Sequence, residues 1–333
     1  MTLAGLSPSY HAARHGAGLI LRDHGRILVA GKDRASYLQG LLTNDIEALT
    51  PGVGCYAAYL TAQGRMITDL WVYELGDVML LALPRAVKDA VLAKLDQFIF
   101  SEDVQLGDVT DTLAAVAIVG PDAARIAAHV LGLERDTLTT LPEHGALRCT
   151  VHGEPMIVLR VTDTGEPGFE LVGPRERMPA LLDLLRTAGA VDVDAATADL
   201  LRVEAGVPRF GSDMDEETIP LEAGIENQAI SFSKGCYVGQ EVIIRVLHRG
   251  HGRVARRLVG LTFDAGQPPP PRGARLLVDG KDVGEVTSSA ASPALGRPIA
   301  LGYVKRDFTA PGTVVIASTG AGGEIVSLPF LAS

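Results

Sequence analysis

The sequence predicts an α+β fold that closes with a small β-barrel, and three observations predict it. Before residue 250, strand-like and helix-like segments mix without a regular βαβ rhythm, which argues against a doubly wound sheet. After residue 257, helical periodicity gives way to short glycine-rich strands with Asp279-Gly280 as a hairpin signal. Between the two textures, Pro268-Pro269-Pro270-Pro271 reads as a stiff connector. A chain of 333 residues also exceeds the size at which one core stops growing. The expected division is an α+β region over 1–250 and a barrel domain over 251–333.

The elements follow from local pattern. Residues 26–30 read as a strand, and a helix follows from Lys32 or Asp33, with Tyr37, Leu38, Leu41 and Leu42 on its inner face. Apolar strands over 55–61 and 66–75 flank the turn Ala62-Gln63-Gly64-Arg65, and Gly76-Asp77 turns the chain into a strand over 78–83. Pro84 opens a helix in which Val87, Val91, Leu95 and Phe98 recur at helical spacing. A strand over 114–119 leads through Gly120-Pro121 into another helix. Strands over 156–161 and 169–172 flank Thr164-Gly165-Glu166-Pro167-Gly168. A helix from Pro174 ends near Gly189, and Asp194 is the N-cap of one reaching Gly206.

Composition bounds the function. A net charge of −10 argues against direct nucleic-acid binding as the main activity. Cys55, Cys149 and Cys236 are widely spaced and odd in number, so neither a disulfide framework nor a metal site is expected. With no signal-peptide core and no apolar run of spanning length, the expected location is cytoplasmic, away from membranes. There is no GxSxG elbow, HExxH helix or P-loop.

The most distinctive segment is Lys234-Gly235-Cys236-Tyr237-Val238-Gly239-Gln240-Glu241. It sets a cysteine between a lysine and a helix expected to start near Tyr237, and both favour a reactive thiolate. The alternative is a small buried hydrophobe, the usual fate of a free cysteine. Three further segments carry charge among small or apolar residues: Asp69 inside an apolar strand, Glu170 after a glycine turn, and Arg202-Val203-Glu204 at a helix end. A basic segment over 245–257, with Arg245, Arg249, Arg253, Arg256 and Arg257, is a candidate for attracting an acidic ligand or partner.

In their order and spacing, segments 31–44, 63–70, 164–170 and 202–241 resemble the aminomethyltransferase (glycine-cleavage T-protein, GcvT-like) superfamily of folate-binding proteins. Lys234 through Glu241 looks like the signature of its YgfZ-type branch. The resemblance implies three subdomains in a ring, the first two intertwined, around a site for tetrahydrofolate or another reduced folate. It implies Asp69, Glu170, Arg202 and Lys234 as folate-binding residues, with Cys236 as a reactive thiol and Asp69 as a second catalytic candidate. The branch implies an accessory role in iron–sulfur cluster assembly or repair. Its partners would be iron–sulfur assembly proteins or client enzymes, such as tRNA-modifying ones. Aminomethyltransferases carry two adjacent aspartates after a glycine pair, and here Thr68 stands beside Asp69. On that departure, and on Cys236 standing where the transferases often have an acidic or polar residue, the accessory role ranks first, one-carbon transfer by an aminomethyltransferase or demethylase second, and a non-catalytic scaffold third.

Overall fold

The computed structural model describes residues 7–248 and 253–331. Helix α1 (Pro8–His15) is capped by Ser7, whose hydroxyl accepts from the Tyr10 amide. Strands β1 (Gly18–Arg22) and β2 (His24–Ala30) are separated only by Asp23, yet they enter different sheets. That crossing laces the two sheets together. Helix α2 (Arg34–Gln39) follows, then β3 (Gly54–Leu60), β4 (Met66–Glu74), β5 (Met79–Pro84), α3 (Lys88–Asp96) and β6 (Gln105–Asp108). These strands form a five-stranded antiparallel sheet in the order β3-β4-β5-β2-β6.

The second sheet collects β7 (Leu113–Val119), β8 (Ala146–Val151), β9 (Glu154–Val161), β10 (Gly168–Pro174) and β11 (Val191–Asp192) around β1. Its order is β11-β1-β7-β10-β9-β8, with only the β1–β11 edge pair parallel. Helices α4 (Ala123–Leu131), α5 (Arg135–Thr139) and α6 (Met178–Thr187) belong to this half.

Alternation along the strands makes both faces of each sheet apolar, so each sheet is covered twice. On the outside, Val91 and Leu95 of α3 and Leu38 of α2 pack on Ile27, Val29, Leu70 and Val72. Ile126, Leu131, Leu181 and Leu185 cover Val116, Ile118, Phe169 and Leu171. Between the sheets, Tyr73, Leu80 and Ala82 meet Ala115, Leu159 and Val172.

Helix α7 (Ala195–Glu204) carries the Asp194 cap, accepting from the Thr197 amide, and its Val203 packs on Leu258, Ile299 and Leu301. Short helices α8 (Pro220–Ala223) and α9 (Glu226–Ala229), and α10 (Gln240–His248), lead to the last unit. Strands β12 (Arg256–Phe263), β13 (Arg275–Val278), β14 (Lys281–Ser292), β15 (Arg297–Lys305), β16 (Val314–Ala317) and β17 (Gly322–Val326) close a barrel. Leu261, Phe263, Leu276, Val283, Val304 and Val315 fill it. The α+β fold with a C-terminal closed barrel is the expected one. The proline run is not the joint between units, because β12 precedes it; it is a loop inside the barrel.

Candidate functional site

A cavity of about 1580 Å³ lies where the two sheets, α7 and the barrel face one another. Its wall takes residues 20–24 from the β1–β2 crossing, Tyr56, Asp69, Trp71 and Tyr73 from β3 and β4, and 159–167 from β9 and its loop. Helix α7, residues 205–210, residues 257–260 and the C-terminal segment 326–329 complete it. Size and a few convergent polar groups on a largely apolar wall fit a cofactor-sized ligand.

Asp69 is the most informative of those polar groups. In the β3–β4 ladder Ala58 opposes Asp69 and Tyr56 opposes Trp71, so Tyr56, Asp69, Trp71 and Tyr73 share the face that turns to the cavity. Asp69 is 4% exposed. The Tyr56 hydroxyl donates to its Oδ2 at 2.7 Å, while Oδ1 is buried without a hydrogen-bond partner. Burial pushes the carboxyl up to about 6, outweighing the hydrogen bond from Tyr56, which pulls it down. Trp71 stands beside Tyr56 with ring centroids 5.3 Å apart, and His24 lies 5.6 Å beyond Trp71.

Thr68 corrects the sequence reading. One residue along a strand reverses the side-chain direction, so Thr68 points to the face opposite Asp69. It is fully buried, and its hydroxyl donates to the Asp69 carbonyl at 2.9 Å. Position 68 contributes nothing to the cavity wall, and the threonine there does not remove a cavity carboxylate.

Glu170 of β10 anchors a second cluster. Arg26 donates to its Oε1 at 2.9 Å, while Oε2 lies 3.7 Å from Arg22 Nε and 3.8 Å from His24 Nδ1, beyond hydrogen-bonding distance. Arg22 also pairs with Asp163 at 2.7 Å. Burial works against the Glu170 charge, but His24, Arg26 and Arg22 outweigh it and hold the carboxyl below its ordinary range. The carboxylate is therefore ionised, with one oxygen open toward the cavity.

The remaining expected residues are placed differently. Arg202 lines the cavity, but its donors go to Asp199 at 2.9 Å, Ser288 Oγ at 2.6 Å, the Val207 carbonyl at 3.3 Å and the buried Asp213. It ties α7 to the barrel. Lys234 is not in the cavity wall; its Nζ donates to the carbonyls of Gln39, Leu42 and Asn44 at 2.6–2.8 Å. Cys236 is exposed and also outside the wall, and α10 starts four residues after it, at Gln240. The lysine is turned to those carbonyls and not to the thiol. Gly239 has a packing reason: its φ is +86°, and a Cβ there would meet the Thr61 carbonyl at 2.5 Å. In the basic segment, Arg245 pairs with Glu241, Arg256 with Glu222 and Arg257 with Glu226, while Arg249 lies outside the described residues.

Sequence reasoning missed Tyr56, Trp71, Arg22, His24 and Arg26. Trp71 was accessible as the period-two neighbour of Asp69; Tyr56 depends on the β3–β4 register and the others on the strand crossing, which leaves no local signal. Among the described residues no cluster of metal-ligating side chains occurs and no helix is long and apolar enough to cross a membrane. A reduced folate fits what is present: an orphaned buried carboxylate oxygen, an open Glu170 oxygen and a Tyr56–Trp71 wall suited to a flat heterocycle.

Comparison with known proteins agrees. The GCVT N-terminal domain family matches residues 4–234, and the glycine cleavage T-protein C-terminal barrel domain matches 256–331. The chain is 34% identical to an aminomethyltransferase of Rubrobacter xylanophilus, over 98% of this chain and 86% of that one. It is also 34% identical to an aminomethyltransferase of Streptomyces coelicolor, over 96% and 87%. The crystal structure of glycine cleavage system aminomethyltransferase T from Bartonella henselae superimposes with a TM-score of 0.87 at 26% identity, covering 97% of this chain and 89% of that one. These relatives overturn the expected accessory role in iron–sulfur assembly and its link to tRNA modification: near full-length relatives are named for aminomethyl transfer. Cys236 lies outside the cavity wall, and Thr68 is turned to the opposite face of its strand from Asp69. The family binds tetrahydrofolate, in keeping with the reduced folate expected from the sequence. The chain belongs to the aminomethyltransferase family of glycine-cleavage T-proteins.

Proposed function

We propose that this protein is a folate-dependent aminomethyltransferase, moving a one-carbon unit from an aminomethyl-bearing carrier to a reduced folate with release of ammonia. The observation that carries the reading is Asp69 Oδ1, buried, unpartnered and set in the wall of the central cavity. A reduced folate bound there supplies the nitrogen that accepts the one-carbon unit. Asp69, with its carboxyl near 6, is suited to hold or exchange a proton at neutral pH beside that nitrogen. Glu170 offers its open oxygen to donors on the heterocycle edge while Arg26 and Arg22 fix its position. Tyr56 and Trp71 give the rings an apolar face, and the barrel and the 326–329 segment form the other side of the cavity.

Within this reading, the partner is a carrier protein of the glycine-cleavage kind presenting its aminomethyl group on a flexible arm. Segment 234–241 then serves architecture: Lys234 ties it to the end of α2 and the turn that follows, and Gly239 lies against the turn after β3. The test is calorimetry with tetrahydrofolate, followed by an ammonia-release assay with an aminomethyl-loaded lipoyl carrier. Micromolar folate binding with ammonia release in wild type, and retained binding without release in Asp69→Asn, supports the reading. Folate binding without transfer in wild type overturns it.

A further inference from the structure

We infer that Tyr56 is the positioning residue of the cavity, its hydroxyl holding Asp69 in the orientation that offers Oδ1 to substrate. The inference rests on the transferase reading and deepens it at the same site. Asp69 has Ala58 directly opposite on β3, a side chain too short and apolar to hold a carboxylate. The diagonal neighbour, Tyr56, is long enough to reach across the ladder, and its hydroxyl meets Oδ2 at 2.7 Å. A carboxylate held by one oxygen cannot exchange its two oxygens freely. Oδ2 is therefore committed to the tyrosine and Oδ1 to whatever enters.

Tyr56 is itself fixed. It is 7% exposed, its ring leans on Trp71 at 5.3 Å, and Trp71 is in turn backed by His24 at 5.6 Å. Several other charged groups facing the cavity pair among themselves, Arg22 with Asp163, Arg202 with Asp213 and Arg209 with Asp199, while Glu170 is held through one oxygen by Arg26. Asp23, Glu143, Glu166 and Asp194 also line it, and burial is the chief cause that lowers the His24 imidazole's pKa. Among the described residues, the Tyr56 hydroxyl is the one side-chain donor to Asp69. Orientation of a reacting group to within an ångström is worth on the order of 100-fold in rate. The arrangement therefore makes Tyr56 matter for turnover more than for binding.

The test uses the full chain and Tyr56→Phe, which removes one oxygen and keeps the ring. Difference infrared spectroscopy without substrate follows the protonated carboxyl band that is absent in Asp69→Asn. Its midpoint rises in Tyr56→Phe, because the lost bond favoured the ionised form. In the transfer assay kcat falls by about 10- to 100-fold, while the tetrahydrofolate dissociation constant changes by less than about threefold. The limb of the pH–rate profile belonging to Asp69 moves to higher pH. An unmoved midpoint and an unmoved limb overturn the inference, as does a loss of rate matched by an equal loss of folate affinity. A displaced midpoint in a wild-type background that transfers nothing supports the Tyr56–Asp69 positioning and sinks the transferase reading instead.

Discussion

Thr68 and Asp69 are adjacent in sequence and turned to opposite faces of one strand, the aspartate to the cavity and the threonine into the core beneath the sheet. The hydroxyl of Thr68 donates to the carbonyl of Asp69, so its polar atom is satisfied locally. Substitutions at position 68 should therefore read out in stability and those at position 69 in transfer.

Thr68→Val should keep transfer activity within about twofold and lower stability by about 1 kcal/mol, the net worth of one hydrogen bond. Thr68→Asp should not enhance transfer. It buries an unpaired carboxylate on the core face and should cost several kcal/mol, on the order of 3. Thermal melts of the two variants, read beside their ammonia-release rates, check both statements. A Thr68→Asp protein that is stable and faster than wild type would restore a catalytic role to this position.

Asp69 carries a stability cost that depends on pH. Its carboxyl is raised from 3.8 to about 6 in the folded state, so the folded protein binds that proton more tightly than the unfolded chain. Stability contributed by this group is therefore present at low pH and lost as pH rises through about 6. Asp69→Asn removes the ionisation while leaving an acceptor for Tyr56. It should be more stable than wild type at pH 8 by up to about 3 kcal/mol, with the difference fading below pH 4. The same variant should lose transfer by about 100-fold or more. Denaturant unfolding at pH 4, 6 and 8 measures the first effect; equal stability differences at all three would contradict it.

Much of the fold was legible because strand alternation and helix caps are local. The 66–75 strand, the Asp194 cap and the barrel texture after 257 all appear where periodicity placed them. Asp69 stood out as a carboxylate in an apolar strand, and the structure sets it in the cavity wall. What could not be read was non-local. Lys234 looked like an activator of Cys236 because the two are close in sequence, but a lysine side chain reaches several residues away, and this one reaches the chain near Leu42. The face of Thr68 was decided by a period-two argument that the comparison of motifs passed over. The Arg22–Glu170–Arg26 cluster is assembled by strands of two sheets and has no sequence spacing to recognise.

Lys234 is predicted to be a structural cation. Its ammonium satisfies three backbone carbonyls at the end of α2 and the turn that follows. Lys234→Met keeps the apolar stem but leaves those acceptors without a donor, which should cost about 3 kcal/mol. Lys234→Arg should not restore the loss, since a planar fork does not match three convergent oxygens. At a temperature where the variant remains folded, its tetrahydrofolate affinity should equal that of wild type, because the side chain is absent from the cavity wall. Calorimetry showing a large loss of folate affinity in folded Lys234→Met would return this residue to the binding site.

The last prediction separates reactivity from function at Cys236. Its side chain is exposed, whereas Cys55 and Cys149 sit part-buried in β3 and β8. Burial pushes the Cys55 thiol up to about 12 and raises that of Cys149 as well. A disulfide reagent at pH 7.5 should therefore label Cys236 first, with the other two reacting only on unfolding. Exposure alone gives this order and assigns no catalytic part to the thiol. Cys236 is exposed and outside the cavity wall, so Cys236→Ser should transfer one-carbon units within about twofold of wild type, as surface substitutions usually do. Peptide mapping after brief labelling and a parallel ammonia-release assay read the two claims independently. Rapid labelling of Cys55 would show that β3 opens in solution, and a tenfold loss of transfer in Cys236→Ser would place the thiol in the reaction after all.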